Sequence, residues 1–68
     1  MTSDRVTVYT TNKMYEAEIV RQILGDHGIN SFLLNKMDSA YQFGDIEIHV
    51  LGEDVMRSKL LIQEFEDQ

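Results

Sequence analysis

The sequence predicts a small α+β sandwich of order β-α-β-β-α, with both helices on one face of a three-stranded sheet. Three observations predict it. In DIEIHVL, residues 45–51, Ile46, Ile48 and Val50 fall on one side and Glu47, His49 and Leu51 on the other, the period of two that marks a half-buried strand. Two longer segments each carry one apolar stripe at helical spacing. A single-striped helix must bury that stripe against another element, so both helices belong over the same sheet face.

Each element has its own reason. RVTVYTT is rich in β-branched and aromatic residues and alternates, with Val6, Val8 and Thr10 pointing inward and Arg5, Thr7 and Tyr9 outward. Asn12 offers a helix N-cap. Met14, Ala17, Val20 and Leu24, widened by Ile23, form the first helical stripe. That helix is expected to end at His27, because Gly28 can take the left-handed conformation that closes a last turn, and Ile29 can then pack back on Leu24. NSFLLN, residues 30–35, is a short apolar run bounded by asparagines and reads as the second strand. DIEIHVL is the third. The segment from residue 53 onward is the second helix, with acids in its first turn and Val55, Leu61, Ile62 and Phe65 as its buried stripe around the small Ser58.

Crossover handedness then orders the sheet. The third strand fits between the first two, antiparallel to each, giving order 1-3-2. This is a ferredoxin-like layout without its final strand, a single domain over residues 1–68 with its core at about 5–66. The first strand keeps an open edge, which invites pairing with a second copy or a partner's strand.

Composition bounds the activities. The 68 residues carry a net charge of −6, a field that repels phosphate backbones and anionic membranes. Neither nucleic acid nor a membrane is therefore expected as a partner. Cysteine is absent, which removes disulfides and thiolate metal sites. The N-terminal residues lack the apolar core of a signal peptide, and no apolar run approaches a bilayer span of about 20 residues. The cytoplasm is the expected compartment.

No catalytic, cofactor or metal site is expected. His27 and His49 lie on different elements, the serines have no motif around them, and no glycine-rich phosphate loop occurs. GDHG, residues 25–28, is explained as a helix ending. Two surfaces stand out. One is the outward sheet face of Arg5, Thr7, Tyr9, Ser31, Leu33, Glu47, His49 and Leu51, with Tyr9 and His49 as its amphipathic members. The other is the loop at 36–44, which carries Met37, Tyr41 and Phe43, large apolar groups suited either to covering the core or to a binding lip.

YEAEIVRQILGDHGINSFLLN and IEIHVLGEDVMRSKLLIQEF resemble the two halves of a family of small bacterial proteins, domain of unknown function 2007, known as putative prokaryotic signal-transducing proteins. The resemblance covers residues from about Val6 to Phe65. It implies a PII-like, ferredoxin-like fold and a signalling role. Members often have proline at the positions of Lys13 and Gly52 and alanine at that of Ser58, departures that touch helix starts and packing. Glu16, Ala17, Glu18, Gly28 and Ile29 match, and the Glu16–Glu18 acid pair is the match that a partner could use.

The expected function is a non-enzymatic regulatory or protein-interaction module, self-associating or binding a protein through the sheet face or first-strand edge. The alternative is a small-molecule sensor whose pocket, at a dimer interface, is lined by Tyr9, His49 and the loop aromatics.

Overall fold

The computed structural model describes residues 4–36 and 45–67. The order is β1 (Arg5–Thr11), α1 (Met14–Asp26), β2 (Ser31–Asn35), β3 (Ile46–Leu51), a 3-10 turn (Gly52–Asp54) and α2 (Val55–Glu66). The sheet runs β1-β3-β2, and both outer strands are antiparallel to β3. Class, element order and strand order are those the sequence predicts.

The strict alternation of β3 decides where the core sits. Ile46, Ile48 and Val50 are fully buried and share one cluster with Ala17, Val20 and Leu24 of α1, Ile62 of α2, and Ile29. Both helices therefore cover the same face. Apolar burial of this kind supplies most of the stability of so small a domain.

The ending of α1 follows the glycine argument closely. Gly28 has φ +78°. Its N–H donates to the Gly25 carbonyl at 3.0 Å, and the Ile29 N–H donates to the Leu24 carbonyl at 2.9 Å. This is the Schellman pair, with its Ile29–Leu24 apolar contact in the core. The His27 Nδ1–H donates to the Ile23 carbonyl at 2.9 Å. GDHG is thus a helix ending down to its histidine ring.

The start of α1 differs from expectation. Asn12 is not the cap; Lys13 precedes the helix and makes no side-chain cap bond. Thr11 does the work instead. Its hydroxyl accepts from the Lys13 N–H at 3.1 Å and donates to Glu16 Oε1 at 2.7 Å. A hydroxyl that bonds the amide two residues on makes a turn of its own, so the chain enters the helix one residue later.

The larger correction is in β1. Its register with β3 shifts between Thr7 and Tyr9, a bulge that leaves Val8 without a direct partner. Two residues of a bulged strand oppose one on the neighbour, so the facing pattern slips by one. Beyond the bulge Tyr9 stands opposite Ile48 and Thr11 opposite Ile46, on the helix side, while Thr10 stands opposite Glu47 on the open side. Tyr9 is therefore inward and Thr10 outward, the reverse of the simple alternation. Val8, like Tyr9, packs against the core.

The second strand is also inverted. Leu33 stands opposite Ile48 and Ser31 opposite Val50, facing the core, whereas Phe32 and Leu34 stand opposite His49 and Glu47 on the open side. Three apolar residues in succession give no phase, and pairing with β3 decides it.

Candidate functional site

The sheet face away from both helices is the candidate site. Its residues come from three strands: Arg5, Thr7 and Thr10 of β1, Phe32 and Leu34 of β2, and Glu47, His49 and Leu51 of β3. Of the residues expected there, Arg5, Thr7, Glu47, His49 and Leu51 are present and Tyr9, Ser31 and Leu33 are not. Met37, Tyr41 and Phe43 lie outside the described residues.

The face is ordered by its own side chains. The Arg5 guanidinium lies 4.0 Å from the centre of the Phe32 ring, a cation–π stack that also shields part of the ring. Next to Phe32 along the register is His49, whose Nε2–H donates to Glu47 Oε1 at 3.0 Å. Lys36 Nζ donates to the other oxygen, Glu47 Oε2, at 3.2 Å. One carboxylate thus gathers a histidine and a lysine across two strands. The His49 hydrogen bond, and after it the Lys36 hydrogen bond, hold the Glu47 carboxyl below its ordinary value of 4.5. Leu34, 45% exposed, flanks this cluster. The result is a shallow strip of aromatic, charged and aliphatic groups, the mixture found on surfaces that recognise other proteins.

Tyr9 has a different role. Its ring meets Phe65 of α2 edge-on, with centroids 6.3 Å apart, and its hydroxyl donates to Glu16 Oε1 at 3.3 Å. Glu16 therefore receives hydrogen bonds from Tyr9 and Thr11 and ties β1 to α1. It is half-buried while Glu18 is exposed, so the two do not form one exposed acid pair. Tyr9 and His49 lie on opposite sides of the sheet, so a single chain does not bring them to one pocket. His27, at the end of α1, is not brought near His49. Among the described residues no three histidine, aspartate or glutamate side chains gather as metal ligands, and no helix is long and apolar enough to cross a membrane.

A family model matches residues 6–66. The chain belongs to the family described as "Putative prokaryotic signal transducing protein". The match takes in the paired strands, both helices and every member of the open face except Arg5, which precedes it by one position. The family's name carries a signalling role and names no ligand or partner. The chain matches none of the curated proteins and none of the solved structures compared with it.

Phe32, Leu34, Thr10 and Lys36 are the members of the strip that sequence reasoning missed. For Phe32 and Leu34 the usable signal lay outside the run, in the fixed faces of Ile46, Ile48 and Val50. Reading it required the β2–β3 register, which no local pattern supplies.

Proposed function

We propose that this chain is a non-enzymatic interaction module acting in prokaryotic signalling in the cytoplasm, and that it binds a protein partner on the open sheet face. The observation that carries the reading is the strip itself. Phe32 and Leu34 stand on a face that no described helix covers, beside a hydrogen-bonded Glu47–His49–Lys36 cluster. Apolar anchors rimmed by paired charges are what a docking surface needs. The net charge of −6 favours a protein partner over nucleic acid.

The test places a photo-crosslinking residue at Leu34 and, as a control, at Lys59 on the helix layer, in cells. A partner crosslinked from position 34 and not from 59 is then purified. Phe32→Ala should weaken its binding by about tenfold or more, the cost of a central aromatic anchor, with Lys59→Ala leaving it unchanged. Equal loss from both variants, or crosslinks from position 59 alone, rejects the open face. A thermal-shift screen against metabolites separates the sensor alternative. A ligand at 100 times its Kd adds about 2.7 kcal/mol, a shift that the protein-partner reading does not produce.

A further inference from the structure

The helix layer carries a second surface, independent of the sheet face. A groove of about 330 Å³ runs between the end of α1 and α2, lined by His27, Ile29, Arg57, Leu60, Leu61 and Glu64. Beside it rises an apolar ridge. Leu60 is 62% exposed, and Met56, one turn earlier, is 78% exposed. Groove and ridge thus lie together on one molecule, which is the requirement for a self-complementary contact.

The charges choose the occupant. Arg57 and Glu64 flank Leu60 and Leu61 on the groove side, one at each end. A second α2 running antiparallel, with the two-fold axis between Leu60 and Leu61, sets each Arg57 against Glu64 of the other copy. The same axis seats each Leu60 beside Leu61 of the other copy, over the groove floored by Ile29. Arg57 already bonds Asp54 at 2.8 Å, and its remaining donors stay available to a second carboxylate. A parallel arrangement would set Arg57 against Arg57. We infer that this face of α2 is a homodimer interface between two copies of the chain, antiparallel and isologous.

The contact is one helix long, about 18 Å for its 12 residues, so it lies at the small end of interface sizes. A weak dimer follows, with a Kd of about 10–100 μM. Sedimentation equilibrium at physiological salt tests it, with circular dichroism confirming that every variant is folded. The wild type should pass from monomer to dimer across that range. Arg57→Glu or Glu64→Arg alone should weaken the dimer by about tenfold or more, because each turns two attractive pairs into repulsive ones. An equimolar mixture of the two variants should form a heterodimer of near wild-type strength, since mixing restores both pairs. A wild type still monomeric at about 1 mM, ten times the top of the expected Kd range, overturns the inference. So does a dimer that the charge reversals leave intact, or a mixture that fails to recover. None of these outcomes bears on the sheet face, which lies on the other side of the molecule.

Discussion

Tyr9→Ala separates the bulged strand from the simple alternating one. If Tyr9 stood on the open face, its truncation would be a surface change, within about ±0.5 kcal/mol. In the structure it packs against the core, edge-on to Phe65 at 6.3 Å, with its hydroxyl on Glu16. A fully buried aromatic replaced by alanine costs about 3–5 kcal/mol; half-burial reduces this to about 2–3 kcal/mol. A 68-residue domain has roughly 3–10 kcal/mol in total. At about 4–8 °C per kcal/mol for this size, Tm should fall by about 10–20 °C. Thr7→Ala, on the exposed side of the same strand, should move it by only a few degrees, and Tyr9→Phe should cost about 0.5–1.5 kcal/mol for the lost hydroxyl bond. The phenol gives a second readout. Burial, then the charge and hydrogen bond of Glu16, hold its pKa above the ordinary 10.0. The folded chain keeps a proton that the unfolded chain releases, so this contribution is complete below pH 10.0 and is lost as pH rises through the raised value. Tyrosinate absorbance should show a tyrosine ionising above pH 10.0, and Tyr9→Phe should remove that step. Differential scanning calorimetry that finds Tyr9→Ala within about 2 °C of wild type refutes the bulge and the inward tyrosine together.

Gly28→Ala places a methyl in open space, so its whole cost is the left-handed backbone: about 1–2 kcal/mol lower stability in urea unfolding. Gly25→Ala, helical and equally open, should instead add about 0.5–1 kcal/mol; the same sign for both would contradict the Schellman ending. Ser58 Oγ is buried with no hydrogen-bond partner among the described residues, so Ser58→Ala should raise stability by about 1 kcal/mol, and a loss would show that the hydroxyl is bonded. Glu47 contributes stability above its ordinary 4.5 that disappears as pH falls through its lowered value. Carboxyl NMR should place its midpoint below 4.5 and find it raised by His49→Phe; a midpoint at or above 4.5 would dissolve the cluster.

The three strands show how far local pattern reaches. β3 alternates cleanly, and its buried and open faces are those its sequence announces. β2 carries Phe32, Leu33 and Leu34 in succession, so both faces have an apolar claim and period alone is silent. β1 alternates well enough to mislead, because its bulge at Val8 is invisible to a method that counts every second residue. The site suffered accordingly. Glu47 and His49, on the clean strand, were legible; Phe32 and Leu34 were not; and Tyr9, Ser31 and Leu33 were assigned to the wrong side.

By itself the sequence determined the class, the order of elements, the glycine ending of α1 and the stripes that press both helices on one face. These depend on spacings of three to seven residues, within which backbone geometry is nearly fixed. Only the tertiary structure decided which side chains share the open face. Facing in a strand is set by register with its neighbour, and one extra residue reverses it. Pairing to β3, some forty positions away for Tyr9 and about fifteen for Leu33, settles a choice that neither segment can make alone.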